Sequence, residues 1–150
     1  MNYHYRVCRA ETDAEEADAL EVRRSVFVEE QGVPEALEID GKDDEAAHVV
    51  AYRDAEDDST PVGAGRLREI EDGVGKLERI AVLEPHRGEG IGSELVAELE
   101  AIADDRGLSM LTMHAQTPVE GMYRKLGYET TSDEFEEAGI PHVEMEKSLS

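Results

Sequence analysis

The sequence has few of the residues that build disulfides, nucleic-acid surfaces or membrane spans. Cys8 is its one cysteine, so neither an internal disulfide nor a cysteine-based zinc site can form. Basic residues number 15 against 37 acidic ones, and no basic stripe offers a face to nucleic acid. No stretch approaches the roughly 18 apolar residues of a membrane span, and the N-terminus lacks the apolar core of a signal peptide. We expect a cytoplasmic protein without nucleic acid, membrane or metal as a partner.

The acidic excess is distributed along the whole chain, which has a formal net charge of -22. Such a charge destabilises a compact fold at low ionic strength through self-repulsion. At about 1 M salt the Debye length falls to roughly 3 Å, which screens most of that repulsion. We therefore expect a halophilic source and a free energy of unfolding that rises with KCl concentration. Chemical denaturation in dilute buffer and in molar KCl measures it, and equal stability in both would refute the expectation.

The pattern of apolar residues predicts one mixed α/β domain over residues 1–150, a length that suits a single core. Thr12 and Glu15 form a capping-box pattern that opens a helical region ending near Gly32. A second helix follows the glycines at 88–92 and ends near 106, and a third is predicted at 117–126. Strands are predicted at 3–9, 47–52, 62–70, 75–83, 108–115, 128–131 and 140–145. Residues 35–45, 54–61 and 132–139 are predicted loops or turns.

One βαβ unit stands out in this order. The strand at 75–83, the helix after the glycines and the strand at 108–115 follow one another without a long linker. Such a crossover joins parallel neighbours. The sequence therefore predicts a parallel pair inside a mixed sheet that has helices on both faces.

The glycine-rich loop is the clearest candidate for a binding site. Residues 86–95 read HRGEGIGSEL, with Gly88, Gly90 and Gly92 directly before a helix. A helix N-terminus exposes unpaired N–H groups and a partial positive charge, and phosphate is its usual guest. Arg87 adds a cation. A Walker loop would need a lysine before Ser93 and a dinucleotide loop would need glycine at that position, while a tight turn without a ligand remains the alternative.

Four stretches resemble the GNAT superfamily of N-acetyltransferases. ERIAVLEPHRGEGIGSELV resembles its acetyl-CoA motif, and HAQTPVEGMYRKLGYE resembles its second signature. RRSVFVEEQGVPEALEIDGKDDEAAHVVAY and EEAGIPHVEM resemble the small ElaA-type branch. The resemblance implies the GNAT fold, a central and mostly antiparallel sheet with one splayed parallel strand pair. It also implies transfer of an acetyl group from acetyl-CoA to a primary amine by direct attack.

The resemblance also implies the residues that bind the co-substrate. The backbone from Arg87 to Ser93 would hold the pyrophosphate of coenzyme A, and one strand edge would pair with its pantetheine arm. Gln116 stands where many relatives carry asparagine. The residues expected to bind acetyl-CoA are Ile80, Ala81, Val82, Arg87, Gly88, Gly90, Gly92, Ser93 and Gln116.

Tyr123 and Glu78 are the catalytic candidates. By spacing alone Tyr123 belongs to an apolar helical stripe with Met122 and Leu126, but the resemblance makes it the acid that protonates the leaving thiolate. Glu78 alternates with Ile80 and Val82, so it is expected on their face. There its carboxylate could take a proton from the amine, directly or through water; an exposed acid at a strand end is the alternative.

The sequence defines the residues that would bind the acceptor amine less clearly. His48 and His142 match the ElaA-type pattern and Glu30 ends the first helical region, so all three are candidates for substrate binding. For His48, His114 and His142 alike, a buried structural histidine is the alternative. The amine could be a small molecule, a peptide N-terminus or a lysine. The sequence also leaves open whether the chain forms a homodimer. A non-catalytic acyl-CoA sensor and a structural domain with an empty loop are the other hypotheses.

Overall fold

The computed structural model describes residues 4–55 and 58–149, which form eight strands and four α-helices. The strands are β1 (His4–Arg9), β2 (Ala47–Ala55), β3 (Asp58–Glu71), β4 (Val74–Val82), β5 (Met110–Gln116), β6 (Glu129–Thr130), β7 (Phe135–Glu137) and β8 (Ile140–Ser148). The helices are α1 (Asp13–Arg23), α2 (Glu35–Glu38), α3 (Ile91–Asp105) and α4 (Glu120–Lys125). A π-helical segment, Arg24–Glu30, continues α1.

The helix signals in the sequence are confirmed by local hydrogen bonds. The Thr12 hydroxyl accepts a bond from the Glu15 backbone N–H at 3.1 Å, and the Glu15 carboxylate accepts from the Thr12 N–H at 3.2 Å. Both bonds satisfy donors that a helix start leaves without partners. Gly107, just past α3, has φ of 73°, the left-handed conformation that commonly ends a helix.

One sheet runs through the molecule in the order β1-β2-β3-β4-β5-β8-β6, with β7 paired to β8. Every pair is antiparallel except β4 and β5, which are parallel as predicted. Their ladder joins Val74–Leu77 to Met110–Met113 and then stops, although both strands continue. The two strands therefore separate beyond Leu77 and Met113, which confirms the splayed parallel pair.

Helices cover both faces of the sheet, as predicted. On one face α3 packs into the larger core, and on the other α1 packs into a smaller one. The larger core includes Leu67, Leu95, Leu99, Leu111 and Met145, and the smaller one includes Ala19, Val22, Val50, Ala64 and Ala81.

All three predicted loops are wrong in part, and the one at 35–45 contains α2. Residues 54–61 were expected to form a polar turn, but β2 runs to Ala55 and β3 begins at Asp58. A ladder uses backbone groups, so exposed polar residues can extend it, and here the Ser59 hydroxyl also donates to Asp54 at 2.6 Å. The predicted turn at 132–139 contains β7. Residues 3, 56 and 57 of these predictions lie outside the described part of the chain.

A bulge in β4 corrects the expected face of Glu78. Arg79 has φ of 58°, rare for a residue with a side chain, and the pairing of β3 with β4 shifts register beside it. The extra residue ends the strict alternation of side chains. Ile80 and Val82 pack against the α3-side core, whereas Glu78 pairs with Arg66 and Arg68 on the opposite face.

The acidic segment 35–45 is held by buried arginines. Arg23 and Arg66 are completely shielded from solvent. Arg23 pairs with Glu38 and Asp43, and Arg66 pairs with Asp40, Asp43 and Glu78 at 2.6 to 3.0 Å. The segment that the sequence shows as an acidic loop is therefore a fixed wall beside β4.

We expect Arg66→Met to lower the free energy of unfolding by about 3 to 5 kcal/mol, because it removes one cation from each of three partly buried carboxylates, Asp40, Asp43 and Glu78. The hydrogen bond from Arg66 also holds the pKa of Asp40 far below its ordinary value. That stabilisation is present above about pH 4 and is lost as the pH falls, so the variant should lose less stability on acidification than the wild type. Urea denaturation at several pH values measures both effects.

Arg24→Met is the matched control, since Arg24 and Glu35 form an exposed pair at 2.8 Å. Exposed pairs contribute about 0 to 1 kcal/mol. Equal losses in the two variants would contradict the structural role given to Arg66.

Candidate active site

A cleft of about 500 Å³ opens where β4 and β5 separate. Its walls come from β4, the glycine loop, the start of α3, the end of β5 and α4. Twelve of the fourteen residues that the sequence singled out line it: Glu78, Ile80, Ala81, Val82, Arg87, Gly88, Gly90, Gly92, Ser93, Gln116, Tyr123 and His142. Glu30 and His48 do not.

Two of the three loop glycines are required by their backbone conformation. Gly88 has φ of 84° and Gly90 has φ of 81°, which other residues adopt only at a cost. Gly90 caps α3, and among residues 4–55 and 58–149 no side chain caps the first turn of that helix. The N–H groups of Ile91, Gly92 and Ser93 therefore have no partner within the helix. Since these residues line the cleft, it has a set of donors and a partial positive charge at that end.

Arg87, predicted to bind acetyl-CoA, and Glu30, predicted to bind the acceptor substrate, form one ion pair. The Arg87 Nη1 and Nη2 atoms donate to the two carboxylate oxygens of Glu30 at 2.8 and 2.7 Å, and Nε donates to the Val82 carbonyl at 2.8 Å. The bonds from Arg87 lower the pKa of Glu30. The guanidinium is thus already compensated, whereas the first turn of α3, which contains Glu94, offers backbone N–H donors beside it.

Tyr123 lies in the cleft with 5% of its surface exposed. Its ring meets the Tyr128 ring edge-on at 6.0 Å. Among the residues that the structure describes, none forms a hydrogen bond with its hydroxyl. Burial raises the pKa of this phenol well above its ordinary value, so it remains protonated at neutral pH and can donate.

The backbone of β4 beyond the bulge has one free edge. Ala81 and Val82 pair with Ala64 and Gly63 of β3 on one side, but the parallel ladder to β5 has ended on the other. Across the gap, the amide groups of Gln116 and Gln31 exchange hydrogen bonds at 3.0 and 3.4 Å. An extended chain inserted between the strands would therefore meet backbone groups of β4 that β5 does not pair, although the Val82 carbonyl already accepts from Arg87 Nε.

The Glu78 carboxylate is surrounded by cations. Arg66 Nε and Arg68 Nε donate to it at 3.1 and 2.7 Å, and the Lys76 ammonium lies 3.6 Å away. Burial raises its pKa, but the bonds from Arg68 and the charge of Arg66 outweigh burial, so the pKa is lowered. A carboxylate held in this state accepts a proton poorly, which weakens the case for Glu78 as a base.

The structure places the two histidines that were predicted to bind the acceptor, His48 and His142, in different surroundings. His48 is buried beside the 35–45 segment, where its Nε2 bonds to the Asp43 backbone carbonyl at 2.9 Å. His48 thus lies outside both cavities with a structural partner for its ring, the arrangement expected of a buried structural histidine. His142 lines the cleft and donates from Nδ1 to the Ile140 carbonyl at 2.7 Å.

A second cavity of about 350 Å³ adjoins the cleft and shares Gln31, Glu78, Gln116 and His142 with it. Its remaining walls come from the 35–45 segment and from the β7–β8 hairpin. Sequence reasoning missed Phe27, Lys76, Arg79 and Glu137, which line both cavities, and the position of His114 in the wall of the cleft. The alternation in LTMHAQ, which puts Thr112, His114 and Gln116 on one face of β5, is the signal that could have identified His114.

Neither a membrane helix nor a metal cluster is found in the described part of the chain. Within residues 4–55 and 58–149 no helix has the length and apolar character needed to cross a membrane. Those residues also contain no group of three or more histidine, cysteine, aspartate or glutamate side chains suited to a metal ion.

Comparison with known proteins gives consistent matches over nearly the full length. A family model described as an acetyltransferase (GNAT) domain matches residues 9–149. The N-acetyltransferase YjcF of Bacillus subtilis, itself described as uncharacterized, is 46% identical over 92% of this chain and 96% of its own. The protein ElaA of Escherichia coli is 28% identical over 87% of this chain and 85% of its own.

A crystal structure from Lactobacillus plantarum has the same fold. It superposes with a TM-score of 0.87 and is 30% identical, covering 97% of this chain and 99% of the other. The splayed strands, the glycine loop and the helix that follows it are thus parts of a fold that occurs beyond this chain.

Proposed function

This chain belongs to the acetyltransferase (GNAT) family, and from that premise we propose that it transfers an acetyl group from acetyl-CoA to a primary amine. Relatives in the family bind coenzyme A or act as acyl-CoA N-acyltransferases. The observation that carries the proposal is one cleft in which a helix N-terminus without a side-chain cap, a strand edge that β5 does not pair and a buried phenol meet.

The anionic end of acetyl-CoA has one suitable position in this cleft. The N–H groups of Ile91, Gly92 and Ser93 supply donors for a pyrophosphate. Gly88 and Gly90 leave the backbone exposed, because a Cβ at either position would meet no heavy atom within 4 Å. Arg87 would contribute a charge only by releasing or sharing its bonds with Glu30, so we assign recognition first to the backbone.

The pantetheine arm is expected along β4. Its amide groups can pair with the free backbone edge at Ile80, Ala81 and Val82, since β5 has turned away. Gln116, already bonded to Gln31, offers an amide at the far side of the gap. This arrangement would direct the thioester toward the shared wall of the cleft and the second cavity, where the amine would enter.

Tyr123 is the proposed general acid. The amine attacks the thioester carbonyl, the C–N bond forms, and the C–S bond breaks with its electron pair on sulfur. The phenol can then give its proton to the thiolate. Although burial raises the pKa of Tyr123, the same apolar surroundings also disfavour a free thiolate, so the two groups remain matched for proton transfer.

The test is a calorimetric titration of acetyl-CoA into the protein in molar KCl, with ATP as the control, followed by an amine screen for thiol release. Saturable binding of acetyl-CoA together with amine-dependent thiol release is the expected result. Binding without turnover on any amine would favour the acyl-CoA sensor. No binding by a folded protein would mean that the loop is only a turn.

A further inference from the structure

Four side chains form a cluster at the boundary of the cleft and the second cavity. His114 on β5 and His142 on β8 both contact the Phe135 ring, edge-on at 5.1 Å and stacked at 6.1 Å. Glu137 on β7 lies between the two histidines. Its Oε1 is 2.8 Å from His114 Nδ1 and its Oε2 is 3.9 Å from His142 Nε2. The β7–β8 hairpin therefore aligns a carboxylate with an imidazole on β5.

The hydrogen bonds assign the proton positions on both rings. An ionised carboxylate only accepts, so His114 must donate to Glu137 from Nδ1–H. Neutral His114 then carries its lone pair on Nε2. His142 donates from Nδ1 to the Ile140 carbonyl, and its Nε2 faces Glu137 at 3.9 Å, beyond hydrogen-bond distance. A carboxylate that fixes an imidazole in this tautomer is the usual arrangement of a histidine base.

His114 also lies at the right point on its strand. Met113 is the last residue of β5 paired with β4, so His114 is the first residue where the strands have separated. Its side chain is 27% exposed and lines the cleft. Gln116, two residues on, shares its face of the strand and lines both cavities. A proton acceptor here is near the path by which an amine would reach a thioester held along β4.

We propose that His114, oriented by Glu137, is the general base that deprotonates the acceptor's ammonium group. The inference rests on the proposed acetyl transfer. His114 Nε2 takes one proton from the ammonium, which frees the nitrogen lone pair to attack the thioester carbonyl. Tyr123 gives its proton to the departing thiolate. The nitrogen, now bonded to the acetyl carbon, loses a second proton, which reaches the Tyr123 oxygen through water and restores the phenol. The imidazolium returns its proton to solvent, so the reaction releases one proton overall.

The surroundings of His114 contain both signs of charge. Glu137 comes from β7, His142 and Glu144 from β8, and Lys76 and Glu78 from β4. Glu78 is already neutralised by Arg66 and Arg68, and Glu144 accepts a hydrogen bond from the Thr131 hydroxyl. Glu137 is the carboxylate that bonds to the His114 ring itself, so it can stabilise the charge formed there during the reaction.

The test compares His114→Gln, Glu137→Gln and His4→Gln, the last an exposed histidine outside the cleft. His114→Gln should lower kcat/KM about 10²-fold or more and leave the calorimetric Kd for acetyl-CoA unchanged. It should also abolish the limb of the pH profile in which activity rises with pH. Imidazole added to His114→Ala should restore part of the rate. Glu137→Gln should keep that limb but move it to lower pH, because it removes the charge that favours imidazolium. His4→Gln should behave as wild type.

A second readout does not depend on turnover. Nitrogen-15 NMR of the free protein should show neutral His114 as the Nδ1–H tautomer, with that preference reduced in Glu137→Gln. An unchanged rate and pH profile in His114→Gln, or an Nε2–H tautomer in the wild type, would overturn the base assignment while acetyl transfer stands. A wild type that binds acetyl-CoA but acetylates no amine would overturn both proposals.

Discussion

Tyr123→Phe is expected to lower kcat by about 10²-fold or more while leaving the Kd for acetyl-CoA unchanged. The substitution removes a single oxygen, and no described residue bonds to it, so neither packing nor a hydrogen-bond network should change. Only the proton donated to the leaving thiolate is lost, and general acids typically contribute 10²- to 10⁴-fold. Initial rates of thiol release and calorimetry on the same preparation measure the two quantities.

Tyr128→Phe is the matched control for this variant. Tyr128 is equally buried and touches the Tyr123 ring, but its hydroxyl donates to Glu100 at 2.7 Å and does not line the cleft. It should lose stability and keep its rate per folded molecule. If Tyr123→Phe turned over as fast as wild type, the acid assignment would be lost and the core-stripe interpretation of Tyr123 would stand.

Gly90→Val is expected to raise the Kd for acetyl-CoA by more than tenfold. Gly90 caps α3 at φ of 81°, a conformation that costs a β-branched residue about 1 to 3 kcal/mol. The new side chain would also project beside the N–H groups of Ile91 and Gly92. Both effects act where the pyrophosphate is proposed to bind, so affinity should fall even in molecules that remain folded.

Gly107→Val is the control that distinguishes the effect of backbone strain from the loss of acetyl-CoA binding. Gly107 has φ of 73°, follows the other end of the same helix, and has equally open space around its missing Cβ. The two variants should lose similar stability in thermal denaturation, while only Gly90→Val loses affinity in calorimetry. Equal affinities in the two variants would contradict pyrophosphate binding at the loop.

Local signals in the sequence were sufficient for most of the fold. The Thr12–Glu15 capping box, the glycine that ends α3 and the parallel βαβ unit all depend on residues close in the chain, and the structure confirms each. The GNAT resemblance likewise followed from short ordered motifs, and the family match confirms it. The strand ends were less accurate, because backbone pairing continues through polar residues such as Asp58 and Ser59.

Spacing alone identified the part of the candidate site that is local to one segment, and the family resemblance identified residues from distant segments, such as Gln116 and Tyr123. The glycine loop and the start of α3 are consecutive in sequence, so Gly88 and Gly90 could be recognised from spacing. The partners of Glu78 could not, because Arg66 meets it through the register of β3 and β4, and the bulge at Arg79 redirects the strand. His48 and Glu30 failed as cleft residues for the same reason, since Asp43 and Arg87 reach them through tertiary contacts.

By itself the sequence determined the class of the domain, the helix caps, the parallel pair and the position of the glycine loop, because each follows from backbone preferences and periodicity over a few residues. Only the tertiary structure decided which charges are free to react. Ion pairs between distant segments neutralise Glu78, Glu30 and Arg87, while the β7–β8 hairpin brings Glu137 onto His114. Pairing energies fall steeply with distance and depend on burial, so they are set by the folded arrangement and cannot be read from residue order.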